Sequence, residues 1–141
     1  MGLSGKNLIY TSNPSLGVPV GRDIFGFLKG CFTDYDLYVV FVISRDNYYA
    51  SPVCLNEMGA AWVVGSGCCP VLLPGMEFEQ MRGVLGSSTS AISLDRPGEA
   101  KYQLGQVRDR VLSHVGLPAL DDDRWEGLRD GFLKSVGSLR Q

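Results

Sequence analysis

The residue with the clearest chemical potential is Glu57, a single acid within a stretch of small and apolar side chains. Residues 51–65 read S-P-V-C-L-N-E-M-G-A-A-W-V-V-G, and no lysine or arginine lies within one helical turn of the glutamate. On a helix, the residues three and four positions away share its face, and they are Val53, Cys54, Ala60 and Ala61. A carboxylate there loses hydration unless it opens into a cleft, and small neighbours leave room for a ligand. Glu57 is therefore a candidate for binding or catalysis.

A structural role for Glu57 fits the same pattern. Glutamates on half-buried helices commonly hydrogen-bond a backbone group or a basic side chain, which here could be Arg22 or Arg45. The residue pattern alone leaves both roles open.

Other residues with catalytic or metal-binding chemistry form no recognisable centre. The four cysteines contain no C-x-x-C pair, and the single histidine, His114, completes neither a zinc set nor a hydrolase triad. The acidic residues 121–123 are explained more simply as a helix cap than as a divalent-metal site. No dinucleotide fingerprint or phosphate loop follows a predicted strand. We expect neither a metal ion nor a cofactor.

The composition is that of one globular domain. The chain has 141 residues, 20% of them charged, with a net charge of −2, so it carries no positive field for nucleic acid or anionic lipid. Its longest apolar runs, such as residues 37–43, are far shorter than the roughly 20 residues that span a bilayer. We expect a single cytoplasmic domain over residues 1–141, without nucleic-acid or membrane partners.

Strand and helix patterns alternate along the chain and predict an α/β fold with a mainly parallel sheet. The predicted strands are residues 7–11, 37–43, 68–73 and 89–94. One predicted helix begins at Asp23, and four others cover residues 52–64, 77–85, 100–115 and 125–139. The run at 37–43 is continuously apolar, which is typical of a strand covered on both faces. The helix at 52–64 is expected to be buried, and Trp62 and Trp125 to anchor the core.

Two segments resemble bacterial Toll/interleukin-1 receptor (TIR) domains. Residues 44–62 read S-R-D-N-Y-Y-A-S-P-V-C-L-N-E-M-G-A-A-W, similar to the family segment S-x-x-N-Y-x-x-S-x-x-C-x-x-E-x-G-A-A-W. Residues 9–12 (I-Y-T-S) and 17–24 (G-V-P-V-G-R-D-I) resemble the family's second strand and its BB loop. The segments occur in family order and spacing, and the pattern of elements matches over essentially the whole chain.

The resemblance implies a flavodoxin-like three-layer sandwich and, for many bacterial members, cleavage of the nicotinamide N-glycosidic bond of NAD, often in anti-phage defence. NAD is then a substrate, and the expected partner is a second copy or another TIR chain. The family's catalytic glutamate falls on Glu57, and the loop 12–21 would act as a mobile lid. The candidate substrate-binding residues are Ser12, Arg22, Ser44, Tyr48 and Cys54.

The sequence departs from the family at two points. Val53 stands where many catalytic members carry a tryptophan, and the family's first strand and helix have no counterpart. Because that strand is central in a sheet ordered 2-1-3-4-5, we hypothesise that residues 7–11 pair directly with 37–43, that another chain supplies a strand, or that the natural start lies upstream. The alternative functions are a non-catalytic TIR assembly module and a nucleoside deoxyribosyltransferase-like enzyme.

Overall fold

The computed structural model describes Leu3, residues 7–10 and residues 17–140. Within these ranges the α-helices and β-strands follow one another as α1 (Ile24–Asp34), β1 (Tyr38–Ile43), α2 (Pro52–Val64), β2 (Gly67–Leu72), β3 (Ile92–Ser93), α3 (Pro97–Val115) and α4 (Asp122–Gly137). Two short 3₁₀ turns cover Phe78–Gln80 and Ser138–Arg140. None of the helices in the described part of the chain is both long and apolar enough to cross a membrane.

The three strands form a parallel sheet in the order β1-β2-β3. Tyr38 pairs with Gly67 at one end of the β1–β2 ladder, and Ile43 pairs with Leu72 at the other. The protein is therefore an α/β protein with a parallel sheet, as its alternating patterns predict.

Helices cover both faces of this sheet. Phe32 of α1 and Ala61 of α2 join a buried cluster with Phe41 and Ile43 of β1. On the opposite face, Ala100 of α3 and Val136 of α4 pack with residues of β2 and β3, namely Cys69, Val71 and Ile92. Alternate residues of a strand point to opposite faces, so β1 and β2 each contribute to both clusters.

The β1 strand is not covered on both faces, so that prediction was wrong. Phe41 and Ile43 are 3% and 0% exposed, whereas Val40 and Val42 on the other face are 45% and 54% exposed. On that face α3 reaches the start of β1, where the His114 ring lies 6.1 Å from the Tyr38 ring, but among the described residues no helix covers Val40 and Val42. A continuous apolar run therefore does not distinguish a central strand from an edge strand.

The predicted strand at residues 7–11 is also wrong where the structure describes it. Residues 7–10 form a turn and irregular chain, and Leu8, Ile9 and Tyr10 are 39%, 42% and 56% exposed. They do not pair with β1, and Thr11 lies outside the described residues. Strand propensity depends on pairing with a neighbouring strand, and the described sheet contains β1, β2 and β3 without residues 7–10.

The predicted helix at 77–85 reduces to one 3₁₀ turn. Glu77 and Gln80 form a reciprocal capping box around that turn, and Gly83 adopts a left-handed φ of 80°. The chain then follows an irregular path that buries Met81 and Leu85 in the core. Glycine at a positive φ ends helical periodicity even where the apolar spacing continues. The strand predicted at 89–94 is likewise limited to β3.

Gly67 is required by the close approach of Tyr38, its neighbour across the β1–β2 ladder. A Cβ atom at position 67 would lie 2.9 Å from Cδ2 of the Tyr38 ring. We expect Gly67→Ala to lower the free energy of unfolding by about 1–3 kcal/mol, because a rigid ring must move. Urea denaturation followed by circular dichroism measures this loss.

Gly105→Ala in α3 is the matched control for Gly67→Ala. Nothing lies within 4 Å of a Cβ atom built at position 105. This substitution is expected to stabilise the helix by about 0.5–1 kcal/mol, because alanine restricts the unfolded chain more than glycine does. Equal stabilisation by both variants would contradict a steric requirement at Gly67.

Candidate functional site

Glu57 lies in the middle of α2, and local sequence signals fix both ends of that helix. The Ser51 side chain accepts a hydrogen bond from the Cys54 N–H at 3.3 Å, and Pro52 occupies the first helical position. Gly65 ends the helix with a left-handed φ of 70°. The predicted bounds of 52–64 are confirmed, although only Met58 and Ala61 are fully buried and the helix is otherwise half-exposed.

A groove of about 460 Å³ lies between α1 and α2, and Glu57 is half-buried in its wall. Its lining from α1 comprises Phe25, Leu28, Lys29, Phe32 and Thr33, and its lining from α2 comprises Leu55, Asn56, Glu57, Gly59, Ala60, Val63 and Val64. Gly59 lines the groove at an open position, where a Cβ atom would meet nothing within 4 Å. The volume falls within the range of ligand pockets, about 300–1,000 Å³.

Tyr48 lies beneath α2 and is 6% exposed. Its hydroxyl donates a hydrogen bond to the carbonyl oxygen of Cys54 at 3.4 Å. Burial raises the pKa of the Tyr48 phenol, and the nearby Cys54 thiol and Glu57 carboxylate raise it further. Tyr48 is therefore a neutral donor that holds the first turn of α2 close to Glu57, and it is absent from the lining of both cavities described here.

The neighbouring Tyr49 ties the same loop to the rest of the fold. Its ring packs edge-on against Tyr48, with centroids 5.3 Å apart and planes at 79°. Its hydroxyl accepts a hydrogen bond from the backbone N–H of Arg82 at 2.8 Å, across 33 residues of sequence. The loop that leads into α2 is thus fixed by two aromatic side chains.

Replacing Tyr48 with phenylalanine removes the hydrogen bond to Cys54 without removing the ring. We expect the free energy of unfolding to fall by about 1 kcal/mol, because the Cys54 carbonyl loses one donor. Urea unfolding measures the effect, with Tyr35→Phe as the control because Tyr35 is 65% exposed. If both variants unfold at the same urea concentration as the unmodified protein, the Tyr48 hydroxyl does not hold α2.

Ser44 lies in a second cavity, of about 330 Å³, at the carboxyl ends of β1 and β2. Arg45, Asp46 and Asn47 line it together with the turn after β2 and Leu139. Gly75 in that turn has a φ of 88°, and its N–H donates to the Asp95 carboxylate at 2.8 Å. Residues that follow β1 and β2 meet here, but Ser44 and Glu57 line different cavities.

The remaining candidates lie apart from the groove or serve local structure. The Arg22 guanidinium lies over the Phe27 ring, 5.8 Å from its centroid, and Arg22 is exposed. Cys54 is half-buried, packs against the core, and donates its N–H to the Ser51 cap. Ser12 and the first half of the predicted lid at 12–21, residues 12–16, lie outside the described residues. Their proposed roles in substrate binding stay predictions.

Several basic and acidic residues elsewhere in the described chain have local partners. Arg45 lies 3.6 Å from the Asp46 carboxylate. Asp121 caps α4 by accepting from the Arg124 N–H at 3.3 Å, as predicted for the acidic run. Within the described residues, no group of three or more histidine, cysteine, aspartate or glutamate side chains could hold a metal ion.

Sequence reasoning missed the contribution of α1 to the groove. Phe25, Lys29 and Thr33 follow one another at steps of four, so they share one helical face that lines the groove with Glu57. This spacing is visible in the sequence. The sequence indicated Arg22 or Arg45 as a basic partner of Glu57, whereas helix packing brings Lys29 to the same groove.

The fold and the groove define an α/β protein with a carboxylate in a largely apolar interhelical groove. The chain is similar to the uncharacterized protein YddK of Bacillus subtilis (strain 168), with 38% identity over 132 residues that make up 94% of this chain and 47% of YddK. The chain thus spans about half the length of this curated relative. No protein-family model matches the sequence, and no solved structure matches it.

Proposed function

We propose that this chain is a TIR-like, flavodoxin-like domain that cleaves the N-glycosidic bond between nicotinamide and ribose in NAD. Glu57 is the proposed catalytic carboxylate, and the groove between α1 and α2 is the proposed substrate site. The observation that carries the proposal is the half-buried position of Glu57 in a cavity of about 460 Å³ whose other walls are mostly small or apolar. The TIR-like motif that ends in this glutamate supports the same assignment.

The chemistry suits a carboxylate in such a groove. The bond from ribose C1′ to the nicotinamide nitrogen breaks, and the bonding electrons leave with neutral nicotinamide. Positive charge then develops on the ribose in an oxocarbenium-like transition state. An anion beside the ribose stabilises that charge most in the transition state, which lowers the barrier. Water adds to C1′ and releases a proton to give ADP-ribose, or adenine attacks instead to give a cyclic product.

The proposed setting is a cytoplasmic defence or signalling response, in which TIR-like domains act as effectors. NAD is a substrate in this proposal, and the chain needs no cofactor to cleave it. YddK is uncharacterized, so the activity of a full-length relative is part of the same proposal.

A second candidate function is a non-catalytic assembly module. Large apolar side chains around the groove are exposed, with Phe25 at 49%, Val63 at 74% and Val64 at 50%. Such a patch is typical of surfaces that bind another protein. A second copy or another TIR-like chain is the proposed partner for this function.

Incubation of the purified chain with NAD tests the two candidates directly. We expect nicotinamide to accumulate together with ADP-ribose or its cyclic isomer, as measured by liquid chromatography and mass spectrometry. Sedimentation velocity on the same sample measures self-association. A folded protein that associates but releases no nicotinamide, at enzyme concentrations up to those that associate, favours the assembly module and contradicts the enzymatic proposal.

A further inference from the structure

The side chain of Lys29 supplies a positive charge to the groove that contains Glu57. Lys29 lies on α1 between Phe25 and Thr33, while Glu57 lies on α2, so the two charges come from opposite walls. Thr33 is engaged locally, because its hydroxyl donates to the Lys29 carbonyl oxygen at 2.9 Å. In the part of the chain that the structure describes, none of the ion pairs includes Lys29.

The other residues that line the groove help to indicate what kind of ligand could use the charges of Lys29 and Glu57. The other lining residues are apolar or neutral, so Lys29 and Glu57 are the two ionisable groups among those that line the groove. Lys29 is exposed and Glu57 is half-buried, so the ammonium can attract a negative group on a ligand while the carboxylate faces the interior of the groove. The groove therefore suits a ligand that presents hydroxyl groups or positive charge to one wall and a negative group to the other.

We infer that Lys29 binds the phosphate on the 5′ carbon of the ribose that Glu57 contacts, so that the groove selects nucleotides over nucleosides. This inference rests on the proposed function and specifies its substrate class. In NAD the scissile ribose carries this phosphate, and in nicotinamide riboside it carries a free hydroxyl. A lysine ammonium is a point charge suited to phosphate, whereas it gains little from a neutral hydroxyl.

Lys29→Ala tests the inference through a comparison of two substrates. We expect kcat/KM for NAD to fall about tenfold or more, the effect of one charge-assisted hydrogen bond. The kcat/KM for nicotinamide riboside should stay within about twofold of its original value, since that substrate lacks the phosphate. Lys29→Arg should retain most of the preference for NAD, because it keeps the positive charge.

Lys101→Ala is the matched control for loss of a lysine charge. Lys101 lies on α3, on the opposite face of the sheet, where its ammonium lies 3.4 Å from the Asp130 carboxylate. Lys101→Ala should leave kcat/KM unchanged for both NAD and nicotinamide riboside. Raised salt should weaken NAD cleavage by the unmodified protein more than cleavage by Lys29→Ala, because salt screens the attraction between lysine and phosphate.

A binding measurement separates this inference from the proposed function. Titration calorimetry with ADP-ribose should give about tenfold weaker binding when Lys29→Ala is added to a Glu57→Gln background. If Glu57-dependent cleavage of NAD occurs but Lys29→Ala changes neither the substrate preference nor ADP-ribose binding, the inference is overturned and the proposed function stands. If the folded protein neither cleaves NAD nor binds ADP-ribose, both fail together.

Discussion

Replacement of Glu57 with glutamine is expected to slow nicotinamide release from NAD by about 10²- to 10³-fold while leaving the protein folded. Glutamine has nearly the same shape as glutamate but no negative charge, so the groove keeps its volume and loses its electrostatic stabilisation. Removal of a single group that stabilises transition-state charge typically costs about 10²- to 10³-fold in kcat. The same assay that follows nicotinamide release measures this loss.

Glu126→Gln is the matched control for the Glu57 variant. Glu126 is an exposed glutamate on α4, which packs on the opposite face of the sheet, so its charge lies away from the groove. Its replacement should leave nicotinamide release within about twofold of the original rate, as expected for a surface substitution far from the site. If Glu57→Gln retains activity comparable to Glu126→Gln, the carboxylate has no role in cleavage and the enzymatic proposal loses its basis.

Trp125→Ala is expected to lower the free energy of unfolding by about 3–5 kcal/mol, the usual cost of removing a buried aromatic side chain. Trp125 is 9% exposed on α4, and the Arg108 guanidinium of α3 lies 5.0 Å from its ring centroid. Arg108 in turn lies 2.8 Å from the Asp109 carboxylate. Loss of the ring removes both apolar burial and the surface on which Arg108 stacks, so the contact between α3 and α4 weakens.

Trp62→Ala provides the contrast, because Trp62 is 62% exposed near the end of α2. Its loss should change the free energy of unfolding by about 0.5 kcal/mol or less. Urea denaturation followed by far-ultraviolet circular dichroism is the suitable measurement, since each variant also changes the tryptophan fluorescence. If Trp125→Ala and Trp62→Ala lower the free energy of unfolding by similar amounts, Trp125 is not a core residue in a sense that Trp62 is not, and the assignment is contradicted.

The two tryptophans illustrate what the sequence could and could not predict. Both lie on apolar stripes of helices, and the prediction that both anchor the core holds for Trp125 and is wrong for Trp62. An apolar stripe marks a face that can be buried, but only the arrangement of the other elements decides whether something covers it. Near Trp62, the described chain supplies no such cover.

Elements with local start and stop signals were the most predictable. Ser51, Pro52 and Gly65 gave the bounds of α2 because a cap, a first-turn proline and a left-handed glycine act within a few residues. Residues 7–10 lacked such signals and depended on a distant partner strand, so their short apolar run was misleading. Non-local pairing is not encoded in a four-residue pattern.

The candidate site was predictable in part, because one of its residues is marked by a short segment of sequence. Glu57 stands out within its own helix, so a single segment of sequence was enough to identify it. The groove is made by packing α1 against α2, and the separation of Ser44 into another cavity depends on the path of the chain between β1 and α2. Those features follow from tertiary packing rather than from the local order of residues.

Among the described residues, β1 has one unpaired edge and two exposed valines, and this has a consequence for handling the protein in solution. Residues 38–43 read Y-V-V-F-V-I, with neither charge nor proline, and β1 pairs with β2 alone within the described residues. Segments of this kind, with high strand propensity and an open row of backbone donors and acceptors, are templates for cross-β stacking. We therefore expect concentrated samples to aggregate through this segment before the rest of the fold is lost.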